Sequence, residues 1–157
     1  MEMIYLFDWG DTLMVDSLEQ SGPMCDWPEV KAVDGALETL ALLSKHHRIY
    51  IATNAADSTE REIKRAFERV GLARYINGYF CQSNLGISKG TPAFFDAIAQ
   101  KLGVNPNKLI MVGDSFGNDI IPAISAGLSA IWLAPNINST QLADGIIQVS
   151  GLREIGL

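Results

Sequence analysis

The sequence predicts an α/β fold with a doubly wound, mostly parallel sheet and helices on both faces. Three observations indicate this class. Short apolar runs alternate along the chain with stretches whose apolar residues recur at helical spacing. The runs are continuously apolar, which is typical of strands buried on both faces of a parallel sheet. Residues that favour the beginning and end of helices stand between the runs.

Each element is predicted from its own stretch of sequence. The strands are MIYLF (3–7), RIYIAT (48–53), GYFCQ (78–82), KLIMVG (108–113) and SAIWLA (129–134). The helical sets are Val33, Leu37, Leu40 and Leu43; Ile63, Phe67 and Val70; and Phe94, Phe95, Ile98 and Leu102. Helix starts are predicted from a capping box at Asp57 and Glu60 and from Thr91 followed by Pro92, and stops from Gly71, Gly103 and Gly127. IIQV, in the tail, is expected to be an edge strand.

Composition limits the domain count and the classes of partner. A chain of 157 residues that is 48% hydrophobic is long enough for one domain with a real core, so residues 1–157 are expected to form one domain. The net charge of −6 and the lack of a basic cluster argue against nucleic-acid and membrane-surface binding. Two cysteines without a metal pattern, and an N-terminus without a leader or membrane span, favour the cytoplasm.

Polar side chains follow the predicted strands at one edge of the sheet. Asp8 follows the first run, Thr53 and Asn54 follow the second, and Asp114 follows the fourth. Lys89 precedes the cap of a helix after the third run, and Asp119 is expected to open the helix after the fourth. Ligands of open α/β sheets bind beyond the carboxyl ends of the strands. These residues are therefore expected to share one pocket.

The chemistry of this pocket points to phosphoryl transfer. Repulsion among several carboxylates calls for a hard divalent cation, and Mg²⁺ is the natural candidate. A cation beside a lysine and a hydroxyl can neutralise a phosphoryl group, and a carboxylate can attack it. The residues alone therefore favour a reaction through an aspartyl-phosphate.

Four segments resemble the motifs of the haloacid dehalogenase (HAD) superfamily, in the order in which that superfamily carries them. They are LFDWGDTL, IYIATN, Lys89 in GISKGTP, and IMVGDSFGND. The resemblance extends from Tyr5 to about Ala134 and implies a Rossmann-like hydrolase fold. It implies that Asp8 is the nucleophile, that Thr53 holds phosphoryl oxygens and that Lys89 neutralises the intermediate. It also implies a Mg²⁺ site formed by Asp8, the main-chain carbonyl of Gly10, Asp114 and Asp119, with Asn54 beside the ligand.

The chain departs from the superfamily at Gly10. Phosphatases of this superfamily have a second aspartate two positions after the first, which protonates the leaving group and later activates water. Here that position is Gly10, and Asp11 occupies the usual glycine position. Asp11 is a candidate acid/base, and the alternative is that it accepts backbone hydrogen bonds in the turn. Loss of acid–base help costs about 10² to 10⁴ in rate, so weak activity biased toward good leaving groups is expected.

The spacing of the motifs leaves no room for a cap domain. The stretch between Thr12 and Thr53 must already hold a loop, a helix and a strand. The segment from Met14 to Trp27, with Trp9 and Trp27 near the mouth, is expected to be a short flap or an ordinary surface loop with packed tryptophans. A small phosphorylated substrate is expected. An uncovered site is also compatible with a macromolecular substrate or a homo-oligomer.

Two other functions stay open at this stage. The first is a binding or regulatory domain that has kept the fold and the metal site but lost turnover, which Gly10 favours. The second is dehalogenation, which the missing cap and the acidic fourth motif disfavour. The complete set of Asp8, Thr53, Lys89 and Asp114 favours the enzyme, because grouping these charges is costly without a ligand.

Overall fold

A six-stranded sheet, with all strands parallel, organises the chain. This computed structural model describes residues 3–17, 19–54, 58–134 and 144–155. The strands are β1 (Ile4–Phe7), β2 (Arg48–Ala52), β3 (Gly78–Phe80), β4 (Leu109–Gly113), β5 (Ser129–Leu133) and β6 (Ile146–Val149). Their order across the sheet is β3-β2-β1-β4-β5-β6. The predicted doubly wound parallel sheet is confirmed, and IIQV is its edge strand.

Helices cover both faces of the sheet. They are α1 (Ala36–Leu43), α2 (Glu60–Arg69), α3 (Gln82–Leu85), α4 (Pro92–Leu102) and α5 (Ile121–Ser125). Tyr5 and Phe7 of β1 belong to the core cluster that contains α1 and α2, whereas Ile4 and Leu6 belong to the cluster that contains α4 and α5. Successive side chains of a strand point to opposite faces. This alternation places α1 and α2 on one face and α4 and α5 on the other.

Shorter turns complete the secondary structure. The 3₁₀ turns are Met24–Asp26, Ala73–Tyr75, Pro106–Lys108 and Leu152–Glu154, and a π-helical turn covers Phe116–Ile120. None of the helices in the described part of the chain combines the length and the apolar content that a membrane crossing requires.

Several predicted boundaries need correction. The third strand ends at Phe80, because α3 begins at Gln82. Asp57 lies outside the described residues, and the capping box is formed by Thr59 and Glu62. Leu37 is 43% exposed, because the buried face of α1 consists of Ala36, Thr39, Leu40 and Leu43. The helix stops are confirmed, since Gly71, Gly103 and Gly127 all have positive φ.

The strand order creates a crevice between β1 and β4. From β1 the chain builds outward through β2 and β3, and it then returns to β4 on the other side of β1. The connections on the two sides of this point leave in opposite directions, which opens a crevice at the carboxyl ends of the central strands. Phe7 of β1 is paired with Val112 of β4, and Asp8 donates its N–H to the Val112 carbonyl. The residues that follow β1 and β4 are therefore neighbours.

The connection from β1 to α1 is a loop with a closed base and an anchored tip. At the base, Val15 donates its N–H to Lys31 and Val33 donates to Leu13, at 2.9 and 2.8 Å. At the tip, the Arg69 guanidinium of α2 donates to three main-chain carbonyls, those of Cys25, Trp27 and Pro28. Apart from residue 18, which the structure does not describe, the helical content between β1 and α1 is the 3₁₀ turn Met24–Asp26. We call residues 14–32 the β1–α1 loop.

Candidate active site

Three carboxylates meet at the carboxyl ends of the central strands. Asp8 follows β1, Asp114 follows β4, and Asp119 lies in the π-helical turn after β4. One oxygen from each of the three lies within 4.8 Å of the others. Asp8 and Asp119 are buried, and Asp114 is exposed at the rim. The structure thus brings together the three acids that the sequence singled out.

Lys89 crosses to this cluster from the loop before α4. Its ammonium lies 2.7 Å from a carboxylate oxygen of Asp8 and 2.7 Å from one of Asp119. It also donates to the main-chain carbonyl of Ala52, at the end of β2, over 3.1 Å. The contacts with Asp8 and Ala52 are hydrogen bonds, and the contact with Asp119 is an ion pair. Lys89 is only 7% exposed, so it is held in a fixed position against the nucleophile candidate.

Burial and charge act against each other at Lys89. Burial alone disfavours the charged ammonium and lowers its pKa, but the neighbouring carboxylates of Asp8 and Asp119 more than offset this effect. The pKa of Lys89 therefore lies above its ordinary value of 10.5. The ammonium stays charged throughout the neutral range.

The two acids after β4 hold their protons more tightly than free aspartate does. Desolvation, the hydrogen bond and negative charge of Asp8, and the charge of Asp119 raise the pKa of Asp114 to about 7. Desolvation and the charge of Asp8 raise the pKa of Asp119 to about 6, although Lys89 opposes this shift. Both shifts share two causes, which are the desolvation of the carboxyl and the negative charge of Asp8. A cation placed among the three carboxylates would offset their mutual repulsion.

The position of Asp119 depends on a π-helical turn and a glycine. Asp119 does not open the helix after β4, as the sequence predicted, but lies in the turn that precedes α5. Its second oxygen accepts the Ser115 N–H at 3.1 Å. A Cβ on Gly113 would lie 2.5 Å from Cγ and 2.7 Å from Cβ of Asp119. Glycine at 113 therefore leaves the space into which Asp119 packs.

Thr12 belongs to the site although the sequence analysis gave it no role. Its hydroxyl lies 3.3 Å from an oxygen of Asp8 and 3.4 Å from an oxygen of Asp114, and the residue is fully buried. One hydroxyl proton is thus shared between two acids. The signal was present in the sequence, because Thr12 stands four residues after Asp8 in the first motif.

Thr53 and Asn54 follow β2 and border the same space. Thr53 is buried, and its N–H donates to the Phe80 carbonyl at 3.0 Å. The side-chain oxygen of Asn54 accepts the main-chain N–H of Lys89 at 2.9 Å. Asn54 therefore ties the lysine loop to the end of β2.

A cavity of about 610 Å³ opens above the cluster. Of the predicted site residues it is lined by Asp8, Gly10, Thr53, Asn54, Lys89 and Asp119. The β1–α1 loop forms the opposite wall, with Asp16, Ser17, Gln20, Ser21, Gly22, Met24 and Trp27. Trp9 and Trp27 are 4% and 7% exposed, so the tryptophans are packed into this wall as the sequence analysis had allowed.

Asp11 is engaged away from the cluster. It has a φ of 60°, which L residues other than asparagine and aspartate rarely adopt, and this explains why glycine suits the position. Its carboxylate accepts the N–H of Asp16 at 3.0 Å. Asp11 neither lines the cavity nor belongs to the carboxylate cluster. This geometry matches the alternative in which Asp11 accepts a local backbone hydrogen bond.

The donor set suits a hard divalent cation. Three carboxylates and one ammonium leave two formal negative charges in the cluster. Carboxylate oxygens are the ligands that Mg²⁺ prefers, and Asp114 is exposed, so the cluster is open to solvent on that side. A buried excess of negative charge is costly unless a counter-ion offsets it. Charge and donor type therefore both fit Mg²⁺.

Comparison with known proteins places these features in a family. A family model for haloacid dehalogenase-like hydrolases matches residues 10–127. The chain is 30% identical over 126 residues to pyrimidine 5'-nucleotidase YjjG from Escherichia coli strain K12, covering 77% of this chain and 53% of that protein. The chain thus spans about half the length of the curated relatives that it matches.

Solved structures agree on the fold. An uncharacterized protein from Listeria monocytogenes serotype 4b matches with a TM-score of 0.85 and 26% identity, over 98% of this chain and 94% of that one. YfnB from Bacillus subtilis, in a structure bound to magnesium, matches with a TM-score of 0.68 and 21% identity, over 79% of this chain and 54% of that one. The first match shows that the whole described fold recurs in a chain of similar length.

Proposed function

Because the chain belongs to the haloacid dehalogenase-like hydrolase family, we propose that it is a Mg²⁺-dependent phosphohydrolase that works through an aspartyl-phosphate on Asp8. One observation carries the proposal. The carboxylate of Asp8 is held between the Lys89 ammonium and two further carboxylates, at the floor of a cavity large enough for a small molecule. Relatives that are named as nucleotidases and phosphatases support the same reaction class.

The residues divide into attacking, neutralising and metal-holding groups. Asp8 attacks phosphorus, and Lys89 offsets the charge on the phosphoryl oxygens and on the intermediate. Thr53, at the end of β2, donates its hydroxyl to a phosphoryl oxygen. Asp8, Asp114, Asp119 and the main-chain carbonyl of Gly10 would hold Mg²⁺. When bound, the ion supplies positive charge that draws the phosphoryl group toward Asp8.

A small phosphorylated compound is the proposed substrate. The cavity of about 610 Å³ lies within the usual size range of small-molecule sites. Its loop wall offers polar groups on Ser17 and Gln20 beside the apolar surfaces of Met24 and Trp27. This mixture suits a leaving group that is part polar and part apolar. A macromolecular substrate or a second copy of the chain over the open side would be compatible with the same geometry.

The compartment and the excluded partners are part of the same proposal. A reducing cytoplasmic setting is supported by Cys25 and Cys81, which are both buried and unpaired. The acidic balance of the chain supports a role without nucleic acid or membrane binding.

Gly10 restricts the substrates unless another acid reaches the leaving group. Acyl and aryl phosphates release anions that need no proton, whereas alkyl phosphates release alkoxides that do. The glycine also favours the second candidate, a binding or regulatory domain without turnover. Assays on good and poor leaving groups separate these cases.

Phosphate release from a panel of phosphate esters tests the proposed reaction. The panel contains acetyl phosphate, an aryl phosphate, glycerol phosphate and pyrimidine nucleoside monophosphates, each with Mg²⁺ and with a chelator. Release that requires Mg²⁺, together with an acid-stable phosphoryl group on Asp8 seen by mass spectrometry, supports the proposal. No release from any compound contradicts it and favours the binding domain.

Mg²⁺ is expected to stabilise the protein more at about pH 8 than at about pH 5. The pKa values of about 7 for Asp114 and about 6 for Asp119 exceed the ordinary 3.8. Between the ordinary and the raised values the folded protein binds more protons than the unfolded chain, so these carboxyls lower stability as pH rises. Mg²⁺ binds in place of those protons. At high pH, a Mg²⁺ concentration one hundred times its Kd raises the free energy of unfolding by about 2.7 kcal/mol.

Thermal unfolding at the two pH values, with and without Mg²⁺, measures this difference. Asp114→Asn is expected to lose most of the Mg²⁺ effect, and Asp96→Asn, on the exposed side of α4, serves as the matched control. An equal Mg²⁺ shift at both pH values would argue against a site made of these carboxylates.

A further inference from the structure

The side chain of another acid, Asp16, lies next to Gly10. A Cβ built on Gly10 would lie 3.4 Å from Oδ2, 3.5 Å from Cβ and 3.6 Å from Cγ of Asp16. The backbone of Gly10 does not itself require glycine, because its φ is outside the left-handed region. These are ordinary van der Waals distances, so the Asp16 carboxyl lies directly beside the point from which a side chain at position 10 would start.

Asp16 is held in this place by contacts of its own backbone and side chain. Its N–H donates to the Asp11 carboxylate at 3.0 Å, and its Oδ1 accepts the Ser17 N–H at 2.9 Å. The preceding residue, Val15, pairs with Lys31 at the closed base of the β1–α1 loop. The remaining oxygen, Oδ2, is the one that faces position 10. Asp11, which stands in the usual glycine position, thus positions Asp16.

Asp16 also lines the cavity that contains the reacting groups. The same cavity is bordered by Asp8, Thr53 and Lys89 on one side and by the loop on the other. Asp16 is exposed to it, so a substrate whose phosphoryl group meets Asp8 would carry its leaving group past the loop wall. Of the carboxylates in the described part of the β1–α1 loop, Asp16 is the one that lines this cavity.

We propose that Asp16 is the general acid and base of this protein, in place of the aspartate that its family carries two residues after the nucleophile. This rests on the proposed phosphohydrolase function. The acid is supplied by the loop, and the exchange of glycine and aspartate at positions 10 and 11 makes it fit. Gly10 leaves the Asp16 carboxyl without an acidic side chain next to it, and Asp11 provides the acceptor that anchors Asp16.

The two half-reactions balance with Asp16 in this role. In the first, an oxygen of Asp8 bonds to phosphorus, the bond from phosphorus to the leaving oxygen breaks, and that oxygen takes the proton of the Asp16 carboxyl. In the second, the Asp16 carboxylate takes a proton from water, the water oxygen bonds to phosphorus, and the bond to Asp8 breaks. Phosphate and the alcohol are the products, and both aspartates return to their starting states.

Asp16→Asn is expected to separate the substrates by leaving group. With glycerol phosphate, the release of the alcohol falls by about 10² to 10⁴, because the alkoxide lacks its proton. With an aryl phosphate, one equivalent of phenol is still released rapidly, but the next turnovers slow because water lacks its base. Rapid mixing with acid quench and intact mass then shows phosphoryl-protein accumulating on Asp8 in the variant.

Moving the acid provides the second variant. Asp16→Ala clears the space beside position 10, and Gly10→Asp in that background puts a carboxylate where the family has it. The double variant G10D/D16A is expected to cleave the alkyl phosphate at least tenfold faster than D16A does. Glu19→Gln removes another exposed carboxylate of the loop, one that does not line the cavity, and is expected to match the parent.

The outcomes distinguish this proposal from the proposed function. A parent protein that hydrolyses neither ester overturns both. A parent that hydrolyses them, with Asp16→Asn unchanged or slowed equally in both half-reactions, overturns only the role of Asp16. Selective loss of alkyl phosphate cleavage, with phosphoryl-protein accumulating on the aryl ester, supports it.

Discussion

Asp8→Asn is expected to reduce phosphate release by at least about 10⁴-fold, the scale seen when a covalent nucleophile is removed. An amide oxygen attacks phosphorus poorly, and the Asp8 carboxyl that it would replace lines the cavity. Asparagine has the shape of aspartate. Its amide oxygen can still accept a hydrogen bond from the Lys89 ammonium, which lies 2.7 Å from the Asp8 carboxylate in the parent. We therefore expect an inactive protein whose melting temperature does not fall.

The measurement is phosphate release and phosphoryl-protein formation on the substrate that the parent hydrolyses best. Asp96→Asn, an isosteric change on the exposed face of α4, is expected to keep the parent's rate. Full activity of Asp8→Asn would remove Asp8 as nucleophile. Loss of activity accompanied by unfolding would be inconsistent with the expectation of a folded, inactive variant.

Lys89→Met is expected to lower the free energy of unfolding by about 3 to 5 kcal/mol at about pH 8 without Mg²⁺, as removal of one partner from a buried ion pair does. Lys89 lies 2.7 Å from both Asp8 and Asp119, and both acids are buried. Without the ammonium their charges have no counter-ion at that position. Methionine keeps a similar length and so limits the change in packing.

Urea unfolding at two pH values tests the cause of this loss. The destabilisation is expected to shrink toward about pH 5, because the pKa values of Asp114 and Asp119 are raised and their carboxyls take up protons there. Lys101→Met, on the exposed side of α4, is expected to change stability by less than about 0.5 kcal/mol. A loss of the same size at both pH values would indicate a packing effect and not one of charge.

The sequence reveals the parts of this site that follow strand ends. Asp8, Thr53 and Asp114 each come directly after an apolar run, and parallel strands bring such residues to one edge whatever the loops do. Lys89 could be added because the motif spacing placed it before a helix cap. These positions depend on the periodicity of strands and helices, which a single sequence displays.

Other features depend on contacts that no local pattern encodes. Asp119 was expected to open a helix, but a π-helical turn carries it, and that turn fits only because Gly113 lacks a Cβ. Leu37 follows the helical spacing, yet it lies outside the buried face of α1 and is exposed. Asp16 meets Gly10 through the closure of a loop, a pairing that is set by Lys31 and by the turn at Asp11. Such contacts require coordinates.

The anchoring of the β1–α1 loop has an evolutionary consequence. Its base is fixed by main-chain pairing and its tip by one arginine, Arg69, which binds carbonyl groups that every residue type possesses. Ser17 and Gln20, between these two anchors, can therefore diverge while the metal-binding and phosphoryl-binding floor stays unchanged. Substitutions at these two positions can therefore change which alcohol the cavity accepts, while the contacts that anchor the loop stay in place.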